Sequence, residues 1–218
     1  QRNKVYTNNL REEDTLPITQ RSVFQGYKRA DGGVGTRNYV GIVTSVNCTA
    51  SAAKLLVKEA EQSGILDQFP GVDGIVPIVH GAGCCIGTND EAFRKLQRAI
   101  WGYATHPNFA SVLMLGLGCE SNQIPAMLEA YGRQQDDAFQ YFTLQSEGGT
   151  RKSIEKGMIW LETALKTANK AVREPVDVSH LSVALQCGGS DGYSGITSNP
   201  ALGHAVDLLV KNGGSSIL

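Results

Sequence analysis

The sequence predicts an α/β fold of three layers, a mainly parallel sheet with flanking helices, incomplete at the C-terminus. Three observations point there. From Tyr39 onward, apolar runs rich in β-branched residues alternate with segments of helical period, the pattern of successive βαβ units. Helix start and stop signals fall between the runs. Four of the runs also lead into a turn that carries a cysteine, "TSVNC", "VHGAGCC", "LGLGCE" and "LQCGGSDG", the last three with glycine beside the thiol.

Residues 1–24 are polar, lack periodicity and include "EEDTLPITQ", so they read as a linker or arm from a missing N-terminal domain. The α/β region is expected over 25–218. Its first strand spans about 39–46, followed by a helix with Ala52, Leu55, Leu56 and Ala60 on one face and a stop at Gly64. A strand at 74–79 precedes a helix announced by Thr88 and Glu91, spaced as a capping box, with Phe93, Leu96 and Ile100 along its stripe. After a strand at 110–117, a short helix follows Ser121 and tolerates Pro125 in its first turn. A strand at 139–144 leads to the longest helix, 150–171, whose stripe is Ile154, Met158, Leu161 and Leu165. A strand at 181–186, a helix opening at Asn199-Pro200 and a strand at 215–218 complete the series. The missing initiator Met and the strand-like ending "GGSSIL" suggest a piece of a longer polypeptide.

At 218 residues the chain can bury one well-filled core. A hydrophobic fraction of 41%, a charged fraction of 19% and a mean hydropathy of -0.17 describe an ordinary globular protein. No run approaches the roughly eighteen apolar residues of a membrane span, and the charged start is no signal peptide, so cytoplasmic residence without membrane association is expected. A net charge of -1 offers no basic field for nucleic acid, which favours a small ligand. Five cysteines, an odd number with no CxxC pair, read as reduced thiols or ligands rather than disulfides.

In a parallel α/β sheet the loops leaving the strand C-termini share one edge, and ligands bind there. Cys48, Cys84 with Cys85, Cys119 and Cys187 all fall in such loops, ahead of helices whose positive N-termini favour thiolate. The bland alternative is a buried cysteine acting as a small hydrophobe. On the same edge His80 is a general base, a metal ligand or a ring satisfied by backbone. Glu120 is a ligand, a base or a carboxylate favoured by a helix N-terminus. Ser190 and Asp191 hold a substrate hydroxyl or a metal, or form a plain turn. Arg37 is a partner for a substrate carboxylate or a surface ion pair. His106, His180 and His204 fall outside this edge. The loops lack both the P-loop ending and a dinucleotide fingerprint, so no nucleotide is expected.

Taken together, "GYKRADGGVGTRNYVGIVTSVNC", "GVDGIVPIVHGAGC", "YATHPNFASVLMLGLGCESNQI", "GGTRKSIEKG" and "LQCGGSDGYSGITSNPALG" resemble the altronate and galactarate dehydratases. The likeness runs from about Phe24 to the end, with "TSVNC", "HGAGC" and "GYSGITSNPALG" closer to the altronate branch than to the galactarate branch or the sulfolactate lyases. Cys85 departs from the pattern, where a small residue is expected. The resemblance implies a Rossmann-like variant that removes water from a sugar acid to give a 2-keto-3-deoxy acid, with dependence on Fe²⁺ or Mn²⁺. An iron–sulfur cluster is a further expectation, since soft thiolates suit iron better than magnesium or calcium. On that reading Cys48, Cys84, Cys119 and Cys187 are the metal ligands, with His80, Glu120 and Asp191 in reserve. His80 and Glu120 are the catalytic candidates, and Arg37, Ser190 and Asp191 bind substrate. A homodimer is the expected assembly. The rival readings are a non-catalytic dimerisation or assembly segment and a sugar-acid binding protein without turnover.

Overall fold

In the computed structural model, which describes residues 15–88, 90–186, 189 and 191–218, the chain forms two compact units. The larger spans Tyr27–Arg173, and the smaller joins the N-terminal segment through Gly26 to Glu174–Leu218. The single α/β region expected from residue 25 is therefore divided.

The larger unit is built on four parallel strands, β3 (Tyr39–Thr44), β4 (Gly74–Ile78), β5 (Phe109–Gly116) and β6 (Phe139–Thr143), in the order β4-β3-β5-β6. The two strands before them in the chain are β1 (Val23–Lys28) and the two-residue β2 (Val34–Gly35). Tyr27 and Lys28 of β1 pair antiparallel with β2. Three helices cross between the parallel strands, α1 (Ala50–Gln62), α2 (Glu91–Ala104) and α3 (Ile124–Ala130), and α4 (Thr150–Ala168) follows β6.

Because β3 and β5 are buried on both faces, their sequences are nearly continuous apolar runs, as the parallel arrangement requires. Val40, Ile42, Leu113 and Leu115 face one side and meet Ala53, Leu56 and Val57 of α1 and Leu161 and Leu165 of α4. Val43, Val112 and Met114 face the other, against Ile100 of α2 and Ile124, Met127 and Leu128 of α3. This is the three-layer arrangement expected. Each leucine sealed in these layers contributes at most about 1.5–3 kcal/mol relative to exposure.

Local differences from expectation have local causes. Leu55 is exposed, because the inward face of α1 is Ala52, Ala53, Leu56, Val57 and Ala60. Its helix stops at Gln62, and Gly64 takes a φ of +67°. The cap of α2 is Asp90, whose side chain accepts the Phe93 N–H at 2.7 Å, in place of Thr88. Helix α4 ends at Ala168, where Asn38 takes up the Ala168 carbonyl at 2.9 Å.

The smaller unit pairs Val23–Gly26 antiparallel with β7 (Glu174–Asp177). It also contains a βαβ unit, in which β8 (Ser182–Ala184) lies parallel to β9 (Ser215–Ile217) and α5 (Ser198–Lys211) connects them. Among the described residues no helix is long and apolar enough to cross a membrane.

Candidate functional site

The strand order makes one place on the larger unit special. From β3 the chain crosses through α1 to β4 on one side, and from β5 it crosses through α3 to β6 on the other. Neighbouring strands whose connections diverge in this way leave a crevice at their carboxyl ends, where open α/β sheets bind ligands. Cys48 follows β3 and Cys119 follows β5, so both thiols border it.

After Thr44 the chain passes through Ser45 and Val46, both sealed from solvent, and Asn47–Thr49 makes a single 3-10 turn into α1. The loop after β4 is drawn against this turn. Asn47 N–H donates to the Ala82 carbonyl at 2.9 Å. Gly83, at φ +102°, comes so near that a Cβ would lie 3.2 Å from the Ser45 oxygen and 3.4 Å from the Val46 Cα. The ring of His80 spans the same gap. Its Nδ1 accepts the Ala82 N–H at 3.2 Å and its Nε2 stands 3.1 Å from the Thr44 carbonyl oxygen. An amide can only donate and a carbonyl can only accept, so Nε2 carries the proton and Nδ1 the lone pair.

The loop after β5 is fastened to the same turn from the other side. Ser45 N–H donates to the Leu115 carbonyl at 3.1 Å, and the Thr49 hydroxyl donates to it at 3.2 Å. Glu120, 4% exposed, accepts the Ser45 hydroxyl at 2.7 Å, Leu117 N–H at 3.1 Å and Gly118 N–H at 2.6 Å. Asn122, fully buried, accepts from the Gln97 amide at 3.1 Å and donates to the Ser45 carbonyl at 3.4 Å.

Three loops from distant parts of the chain thus meet, and their thiols meet with them. Cys48, Cys84, Cys85 and Cys119 are all free and exposed. Cys84 stands close enough to Cys48, Cys85 and Cys119 for each of these thiols to bear on its ionisation. The Cys48 thiol, by hydrogen bond and then by charge, pushes the Cys84 thiol above its usual value of 9.0, while Cys85 acts in the opposite direction. The lowered thiol pKa expected from helix N-termini is therefore reversed at Cys84. It lies seven residues ahead of α2, beyond reach of that dipole, and beside a group of its own kind.

Soft sulfur donors of this kind suit a thiophilic ion such as iron, and a cation would oppose the repulsion between neighbouring thiolates. Among the described residues no three His, Cys, Asp or Glu side chains are spaced to hold an ion. The donors fit such a group in kind, and their present spacing does not close around it.

The remaining expected site residues are distributed as follows. Arg37 immediately precedes β3, so it emerges at the amino edge of the sheet, roughly 20 Å of strand away from the thiols. It is exposed, and its backbone carbonyl accepts from Arg29. Arg37 is thus not brought together with the thiols. Asp191 belongs to the smaller unit, where its carboxylate accepts the N–H groups of Tyr193 and Ser194, each at 2.8 Å, as an exposed turn does. Cys187 and Ser190 lie outside the described residues. Ser45, Asn122 and the Thr44 carbonyl were not foreseen. Their signal was the uncharged polar run "TSVN" placed directly after an apolar strand.

A cleft of about 530 Å³ opens at the amino edge, between Arg29, His106, Phe109, Arg133 and Phe139. Its arginines are already engaged, Arg29 with Pro107, Asn38 and Arg37 and Arg133 with Asp136.

An α/β unit with such a switch point is an architecture that binds ligands at the carboxyl ends of its strands. Residues 26–169 match the family described as D-galactarate dehydratase/altronate hydrolase, second domain, and residues 178–218 match D-galactarate/altronate dehydratase, C-terminal. The chain belongs to this family. It is 32% identical over 217 residues to an altronate dehydratase of Bacillus subtilis (strain 168), covering 99% of this chain and 42% of that protein. To the altronate dehydratase of Escherichia coli (strain K12) it is 34% identical, covering 89% of this chain and 38% of the relative. To the galactarate dehydratase (L-threo-forming) of the same organism it is 38% identical, covering 92% and 39%. The chain therefore spans about two fifths of the length of the curated relatives it matches. These identities do not single out the altronate branch.

Proposed function

We propose that the thiol-bearing edge of the larger unit is part of the active site of a hydro-lyase that dehydrates a sugar acid to a 2-keto-3-deoxy acid. The observation that carries this reading is the joining, at the carboxyl edge of the sheet, of the three loops that bear Cys48, Cys84 and Cys119, through the Asn47–Ala82, His80–Thr44 and Ser45–Glu120 hydrogen bonds. Family membership supplies the reaction class, because the relatives are named as altronate and galactarate dehydratases.

Removing water from a 2,3-dihydroxy acid requires loss of the weakly acidic proton beside the carboxylate and departure of the neighbouring hydroxyl. Cys48, Cys84 and Cys119 would be the residues to hold an Fe²⁺ or Mn²⁺ ion, which would supply Lewis-acid stabilisation of the negative charge that develops. His80 is the base in this proposal. The Thr44 carbonyl holds its Nε2–H and steadies the imidazolium formed when Nδ1, released from the Ala82 N–H, takes the proton. The proton then passes to the departing hydroxyl, which leaves as water, and the resulting enol tautomerises to the 2-keto acid. Altronate is the favoured substrate on the motif likeness and galactarate the competitor on identity.

The test is anaerobic turnover of altronate and galactarate, followed as 2-keto-3-deoxy acid, in unaltered protein and in Cys84→Ser and Cys119→Ser. Loss of product in the variants supports the reading. Unchanged turnover in them excludes the thiols from the reaction, as an assembly segment or a binding protein would require.

A further inference from the structure

Of the carboxylates on the larger unit, Glu120 is sealed inside the thiol-bearing edge at 4% exposure, and all of its described partners belong to its own chain. We infer that Glu120 is a positioning residue, whose carboxylate pins the turn carrying Cys119 to the turn carrying Cys48 through Ser45. The inference rests on the reading of this edge as the reaction site.

Its geometry is that of a brace. Oε1 accepts the Ser45 hydroxyl and the Leu117 N–H, and Oε2 accepts the Gly118 N–H. Two of these donors come from the residues just before Cys119, and the third lies three residues before Cys48. Both oxygens of the side chain are thereby occupied. The surroundings are shaped to it. A Cβ on Gly116 would stand 2.6 Å from Oε1, and Gly118 sits at φ +122° with its donor turned inward. The Gln123 amide closes the same turn by donating to the Glu120 carbonyl at 2.6 Å and to the Gly118 carbonyl at 3.3 Å. To act as a general acid or base Glu120 would have to give up bonds from three donors of its own chain, whereas the Nδ1 of His80 gives up one.

Glu120→Gln keeps the volume but can turn an NH₂ group toward an N–H donor. Ser45→Ala removes one donor and leaves the carboxylate intact. Both should loosen the Cys119 turn, and Glu120→Asp, which keeps the charge, should restore part of the effect. The readout is the yield of the Cys84–Cys119 cross-link formed by bismaleimidoethane in fully reduced protein, mapped by peptide mass, with kcat and KM measured beside it. Losing one such hydrogen bond should lower the cross-link yield about fivefold in Glu120→Gln and in Ser45→Ala. An unchanged yield in both, or loss of turnover in Glu120→Gln with the cross-link intact, overturns the inference and makes Glu120 a reacting group. Should Glu120→Gln not unfold cooperatively, Ser45→Ala decides alone. Absence of turnover in the unaltered protein would sink the reaction assignment and leave the cross-link result standing.

Discussion

The Nε2–H of His80 donates to the carbonyl of Thr44 at 3.1 Å, so the imidazole after β4 is fixed to the last residue of β3. That contact and the Ala82 N–H on Nδ1 give one ring two tasks, to hold two loops together and to present a defined lone pair. The tasks separate by substitution. His80→Gln should keep part of the bridge and cost about 1 kcal/mol of stability, measured by urea unfolding. In sugar-acid turnover it should lose about 10²- to 10⁴-fold in kcat, because an amide cannot take up the proton.

Asn38 ties the amino edge together in the same manner. Fully buried, it donates its backbone N–H to Asp73 at 2.7 Å and its side-chain amide to Gly71 at 2.7 Å and Ala168 at 2.9 Å, and accepts from Arg29 at 3.0 Å. Asn38→Ala would remove the amide from the Gly71 carbonyl and take one hydrogen bond each from the Ala168 carbonyl and the half-buried Arg29 guanidinium. The expected loss is about 3 kcal/mol in chemical denaturation, well above that of an exposed asparagine.

Gly157 tests the packing of α1 on α4. A Cβ at this position would lie 2.6 Å from Leu56 Cδ2, and Leu56 is 1% exposed with little room to yield. Alanine would gain about 1 kcal/mol of helix propensity, yet overpacking at a filled contact costs about 1–3 kcal/mol. Gly157→Ala should therefore be destabilising or at best neutral, and Leu56→Ala in the same chain should lose less than the sum of the two single changes.

Acid sensitivity of the smaller unit should trace to Asp177. The Ser179 hydroxyl and then the Ser179 N–H hold its carboxyl below the usual 3.8, and Arg21 adds to the effect. A folded-state pKa below the unfolded one means that this carboxylate stabilises fully above pH 3.8 and loses its contribution as pH falls through the depressed value. In Asp177→Asn the urea midpoint should fall at neutral pH and show a shallower decline below pH 3.8. An identical acid limb in both proteins would show that the contact contributes nothing.

The parallel sheet was legible because its central strands are buried on both faces, and such burial writes itself as apolar runs such as "YVGIV" and "SVLMLG". The thiol loops followed from topology alone, since parallel strands send every carboxyl-end loop to one edge. Topology also held the information that misplaced Arg37. The objection that set His106 aside, its position before a strand, applies equally to a residue two places ahead of Tyr39. Strands β1, β2 and β7 were not legible. β2 has two residues, too few for a period, and β7 is "EPVD", whose partner in β1 lies about 150 residues away. The cap at Asp90 was hidden by a well-spaced Thr88–Glu91 pair, and the roles of Ser45 and Glu120 depend on a contact between loops that no local pattern reports.

The claim beneath all of this is that thiols from separate loops share one small space, and the ionisation of Cys84 reports it directly. The measurement is the pH dependence of Cys84 alkylation by iodoacetamide, mapped by peptide mass, in unaltered protein and in Cys48→Ala. With Cys48 raising the Cys84 pKa, the alkylation midpoint should lie above 9.0 in the unaltered protein and move down in the variant. A midpoint that is the same in both proteins would mean that the two sulfur atoms do not meet.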